Sequence, residues 1–152
     1  MSRRTKKKFL TTDKQELKDV IQGHYDELAK RYNVTSGNIG EDLYKESSSL
    51  FCSGTNNLHQ GKARIKNFWQ DKFSADSWRN LSFAVDPSSI RIFPVNMKDK
   101  YSDQAGQAHD IVELASVTVK LSHNPAGPVD FETVWCHWDD CQWWPESEDF
   151  PL

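Results

Sequence analysis

An α+β domain is the fold class the sequence predicts, with helices first and strands after them. Apolar residues recur at helical spacing up to residue 73, and from residue 80 onward they alternate. The later runs are separated by turn-forming clusters, at Pro87-Ser88-Ser89, Asn124 to Gly127 and Asp139-Asp140. Helices segregated ahead of a meandering antiparallel sheet pack on one face of it. Three N-terminal helices on a strongly curved, mixed or antiparallel sheet leave a hollow, so a central ligand pocket is expected.

The first helix opens at Thr12, which with Gln15 makes a capping box, and runs to about Tyr32. Leu17, Val20, Ile21, His24, Leu28 and Tyr32 share one stripe at 100° per residue, with Tyr25 on its flank. A short second helix is expected from Asn38 to Glu46, burying Ile39, Leu43 and Tyr44 along one edge. Leu50-Phe51-Cys52 reads as a strand, broken at Ser53-Gly54. The third helix starts at Gly61 and reaches Phe73, with Ile65, Phe68, Trp69 and Phe73 on its buried face.

Beyond the helices, Leu81, Phe83 and Val85 alternate with polar or small residues, and Ile90 to Val95 forms a second run. Met97 to Gln107 reads as a long loop. His109 to His123 is the longest strand; its odd positions, among them Glu113 and Val117, form the buried face. Val129 to Trp138 runs back, and Cys141 to Trp144 ends at Pro145. The predicted organisation is a basic, disordered tail over 1–11, one domain over 12–145, and an acidic C-terminal tail over 146–152.

Composition narrows the function classes. A chain of 152 residues makes one domain, large enough to bury roughly two-thirds of its unfolded surface. With a net charge of −3, it lacks the electrostatic footprint of a nucleic-acid or membrane-surface binder. The basic block Arg3-Arg4, Lys6-Lys7-Lys8 reads as a solvated tail. No apolar run reaches the roughly 20 residues of a membrane helix, and the N-terminus lacks the apolar core of a secretory signal. Three Cys fit a reducing compartment, so a cytoplasmic location is expected. Cys136, His137, Cys141 and His123 match no zinc spacing, and phosphate loops and dinucleotide fingerprints are missing, so neither metal nor cofactor is expected.

The glycine-led run Gly61-Lys62-Ala63-Arg64-Ile65-Lys66-Asn67-Phe68-Trp69, preceded by a strand and loop, resembles a signature of the nuclear transport factor 2-like superfamily. Glu132-Thr133-Val134-Trp135 leading into Asp139-Asp140 is similar to that superfamily's penultimate hairpin. The likeness spans Thr12 to Trp144 and implies the cone-shaped fold of SnoaL-like cyclases, ketosteroid isomerases and scytalone dehydratases. The chain also resembles the association domain of calmodulin-dependent kinase II. Transfer of the isomerase residues mostly fails. The proton-abstracting Asp falls at Cys52, where an un-ionised thiol is a poor base. The oxyanion-stabilising Asp falls near Val134, and only the helix-1 tyrosine finds a counterpart, Tyr25.

The candidate pocket residues are Tyr25, Cys52, Phe68, Trp69, Val117 and Glu132, with His24 and Glu113 as candidate catalytic residues. A carboxylate on an apolar strand face either pairs with a partner or has its pKa raised, and a His24–Glu113 pair would be an acid–base couple. Two phases are compatible with the 129–138 strand. Its more apolar face (Val129, Phe131, Thr133, Trp135, His137) puts Glu132 outside, whereas the isomerase alignment puts Glu132, Val134 and Cys136 inside. The expected function is binding of a small apolar molecule, with or without cofactor-independent isomerase, cyclase or dehydratase chemistry. The alternative is a non-catalytic association module. In either case a homodimer through the sheet is expected.

Overall fold

The computed structural model describes residues 13–102, 108–124, 127–138 and 143–152, with side chains described outside 96–102 and 108–109. Helix α1 (Lys14–Val34) is followed by strands β1 (Ser49–Cys52) and β2 (Asn57–Gln60), then helix α2 (Lys62–Ser74). Strands β3 (Arg79–Val85), β4 (Arg91–Ser102), β5 (Ala108–Asn124), β6 (Val129–Trp138) and β7 (Trp143–Phe150) complete the chain. The strands form one curled, unclosed mixed sheet in the order β2-β1-β7-β6-β5-β3, with β4 also paired to β5. β1 and β7 are parallel, and every other pairing is antiparallel.

The expected α+β class holds, with two helices rather than three among the described residues. Over 38–46 the chain makes turns and bends instead. Gly37 and Gly40 take φ of 92° and 79°, and Ser36 takes 56°, left-handed values that no helix accommodates. Thr35 Oγ1 donates to the carbonyl of Arg31, and the Arg31 guanidinium donates to Ile39 O and to the Asp42 carboxylate. Ile39, Leu43 and Tyr44 are nonetheless buried, as their spacing predicts.

Asp13 caps α1 by accepting from the N–H of Gln15, and the expected cap Thr12 lies outside the described residues. The buried stripe of α1 runs Leu17, Ile21, Tyr25, Leu28, Tyr32. It therefore centres on Tyr25, while Val20 is exposed and His24 stands on the flank. In α2, Ile65, Phe68 and Trp69 are buried as expected.

Three further corrections concern strands. Residues 57–60 are β2, which pairs with β1 as a hairpin. Residues 97–102, expected in a loop, belong to β4; 103–107 lie outside the described residues, as does the 1–11 tail. The expected acidic tail is the second half of β7, which passes straight through Pro145. The proline is tolerated because it sits at a register shift opposite Trp135, where the ladder is irregular, and β1 joins only from Ser147 onward.

One aromatic-rich core fills the space between the helices and the sheet. Phe131 stacks on Phe150 with centroids 4.2 Å apart, and Phe68, Trp69 and Phe83 surround them. A smaller cluster of Ile111, Cys136 and Trp138 forms apart from it, packed by Leu114 and Trp144. The register shift between Ile111 and Glu113 takes Ile111 out of the main core and into this cluster.

Candidate active site around Glu148

Near the middle of β7, Glu148 points into the core and is 1% exposed. The parallel pairing to β1 sets Leu50 beside it, and the β6 register sets Thr133 on its other side. α1 delivers Tyr25 from above, and the turn segment after Gly40 delivers Tyr44. Tyr25 Oη donates to Glu148 Oε2 at 2.5 Å, and Tyr44 Oη lies 2.8 and 2.9 Å from Oε1 and Oε2. Two phenols thus converge on one carboxyl group in the buried interior.

The titration of this cluster is set by burial. Loss of solvent raises Glu148 from 4.5 to about 7, against the opposing pull of its two phenol hydrogen bonds. Tyr25 and Tyr44 are both pushed well above 10, by burial first and the neighbouring Glu148 charge second. At neutral pH the phenols are therefore donors, and the carboxyl exchanges its proton near the ambient pH.

Three nitrogens around this centre lack a partner among the described residues: His24 Nε2, Trp69 Nε1 and Trp135 Nε1. The Trp135 indole neighbours the Tyr25 oxygen and the Trp69 indole the Tyr44 oxygen; each favours the phenolate, but outside good hydrogen-bond geometry. The His24 ring meets Tyr25, Tyr44 and Trp135 edge-on, with centroids 4.8, 5.4 and 4.9 Å away. Burial, and then the Arg31 charge, lower His24 to about 3, so it is a neutral imidazole. Unpartnered buried polar atoms are costly, and three gather around this one carboxyl group.

His24 does not meet Glu113. That carboxylate pairs instead with His137, its cross-strand neighbour, at 2.8 Å. His137 in turn stacks on Trp143 at 4.6 Å. Glu132 is exposed on the outer face and accepts from Thr118 Oγ1, so the apolar-face phase of β6 is the one adopted. Trp135 accordingly lies inside. Tyr25, Trp69 and Val117 lie in the interior, Tyr25 in direct contact with the carboxyl. Cys52 is buried beside Phe150 at the rim, its thiol raised by burial, and with Phe68 it lines a separate cleft.

Sequence reasoning missed Glu148 and the role of Tyr44. Pro145 made 146–152 look like a tail, although Glu148 and Phe150 stand two apart, as residues on one strand face must.

No family model and no curated protein matches this chain. Solved structures do. A domain of unknown function with a cystatin-like fold from Nostoc punctiforme aligns with a TM-score of 0.60 at 18% identity, covering 91% of this chain and 77% of that one. An NTF2-like protein of unknown function from Pseudomonas putida gives 0.52 at 10% identity, covering 90% and 86%. A putative calcium/calmodulin dependent protein kinase II association domain from Xanthomonas campestris gives 0.50 at 11%, covering 92% and 89%. At these identities the likeness is one of fold.

Proposed function

We propose that this chain, which has the nuclear transport factor 2-like fold, binds a small, largely apolar neutral molecule at Glu148 and performs acid–base chemistry on it. The observation that carries the reading is the buried Glu148 carboxyl, held by two phenols and ringed by three unpartnered nitrogens. A carboxyl titrating near pH 7 both gives and takes a proton at little cost, which suits isomerisation, cyclisation or elimination. Tyr25 and Tyr44 keep their protons and orient the carboxyl. The indole N–H groups of Trp69 and Trp135 would donate to a ligand oxygen, and neutral His24 would fix its other end. Among the described residues the interior offers no cation to balance an anionic ligand, which selects for a neutral one.

Native mass spectrometry of the protein as purified, followed by thermal-shift screening with neutral cyclic ketones and phenols, tests the reading. Binding should quench tryptophan fluorescence and be lost in Glu148→Gln. Hits that bind Glu148→Gln equally well would refute it.

A second reading is supported by the outer cluster of Ile111, Cys136 and Trp138 with half-buried Leu114 and Trp144. In it the chain is an association module, a homodimer through the sheet, held in a cytoplasmic environment where Cys52 and Cys136 stay free thiols. Sedimentation velocity of the wild type and Leu114→Lys decides it: the substitution should dissociate the dimer.

A further inference from the structure

A cleft of about 250 Å³ lies between the β1–β2 hairpin and the edge of α2 that carries Phe68 and Lys72, and its lining does not include Glu148. Cys52 and Phe68 line its inner part, and His59, Asp71, Lys72 and Asp76 its rim. The His59 and Phe68 rings are 5.1 Å apart at 58°, two walls of an aromatic corner. Lys72 already seats an ammonium there. Its Nζ is 5.4 Å from the centre of Phe68 and 4.8 Å from that of Trp78, and 2.7 Å from Asp76. Asp71, one residue earlier and exposed, has no partner among the described residues. Burial lowers His59, which keeps the imidazole uncharged and unopposed to an incoming cation.

We propose that this cleft is a binding site for a small organic cation, an alkylammonium group seated on Phe68 and His59 with Asp71 as its counter-ion. Faces of aromatic rings attract cations through their quadrupole, more strongly where water is partly excluded. The lining carries two carboxylates against one lysine, and that lysine is turned onto Trp78 and Asp76; the Arg64 charge also reaches His59 but lies outside the lining. The site is independent of the Glu148 centre, and either stands if the other fails.

Tetramethylammonium and butylammonium chloride are the probes, with tert-butanol as the neutral control of similar bulk, at constant ionic strength. Amide chemical shifts of the folded full chain should move at Cys52, His59 and Asp71 for both ammonium ions and not for the alcohol. Two variants move affinity in opposite directions. Asp71→Asn removes an exposed carboxylate and should weaken binding about threefold. Lys72→Met keeps the aliphatic stem, removes the competing ammonium and should tighten it. Both variants should keep the wild-type spectrum elsewhere, and Glu148→Gln should bind the probes normally. Equal binding of tert-butanol, shifts confined to other regions, or no weakening in Asp71→Asn overturns the proposal.

Discussion

Tyr44 Oη sits 2.8 and 2.9 Å from the two oxygens of Glu148, so a residue from the turns between α1 and β1 is pinned to the middle of β7. Around that pin the neighbouring residues also grip β7: Ser48 Oγ donates to the Pro145 carbonyl, and the Lys45 ammonium lies 3.9 Å from the centre of the Trp144 ring. The segment therefore holds its shape without helical hydrogen bonds.

Removing the phenol tests the pin. Tyr44→Phe deletes a donor to a buried carboxyl and should cost about 1.5–3 kcal/mol of stability. Because that hydrogen bond favours the ionised form, its loss should also move the Glu148 pKa further upward. Carbon NMR of the Glu side chains reports the shift; an unchanged or lower value would contradict the assignment.

The pH dependence of stability should show two opposing contributions. Native Glu148 keeps its proton up to about pH 7, whereas an unfolded glutamate loses it near 4.5. Stability from this group is thus full below 4.5 and is lost as pH rises to 7. Native His24 stays neutral down to about 3, whereas an unfolded histidine gains a proton below 6.5. Stability from that group is full above 6.5 and is lost as pH falls. From pH 4.5 to 6.5 the folded chain carries one proton at Glu148 and the unfolded chain carries one at His24, so the slopes cancel. Glu148→Gln should leave a stability that rises by about 1.4 kcal/mol per pH unit, and His24→Gln one that falls by about the same. Urea midpoints across this window for the two variants check the signs, and slopes of the same sign would refute the pairing.

Two glycines should respond oppositely to alanine. Gly23 lies on the exposed side of α1 with open space where a Cβ would go, so Gly23→Ala should stabilise by about 0.5–1 kcal/mol. At Gly54 a Cβ would fall 2.3 Å from the backbone carbon and oxygen of Leu152. Gly54→Ala must push the chain away from Phe150 and should destabilise by about 1–3 kcal/mol. Thermal unfolding of both variants measures the contrast.

The fold was legible where one physical signal dominated. The period-two run through Leu81, Phe83 and Val85 and the odd positions of β5 are buried as read, and so is the Ile65–Phe68–Trp69 face of α2. Reading failed where long-range pairing overrode local chemistry. Pro145 is a strand breaker in isolation, but at a ladder irregularity it is tolerated. Glu148 looked solvated because its neighbours are acidic, and only the β1 and β6 pairings turn it inward. Tyr25 and His24 exchange places because one residue is 100° of helix, less than the uncertainty in a stripe's centre. Glu113 was recognised as a carboxylate needing a partner, but register supplied His137, which helix patterning could not name.

The placement of β7 also constrains the order in which the protein can assemble during synthesis. Among the described strands the β1–β2 hairpin joins the rest of the sheet only through β7, which inserts between β1 and β6. A nascent chain that has already emerged as far as Trp138 therefore holds two separate pieces of sheet. Its exposed β1 and β6 edges, and the apolar faces beside them, stay uncovered until residues 143–150 leave the ribosome. Completion of the sheet thus waits on β7, and chaperone capture should be most efficient on chains stalled within that window.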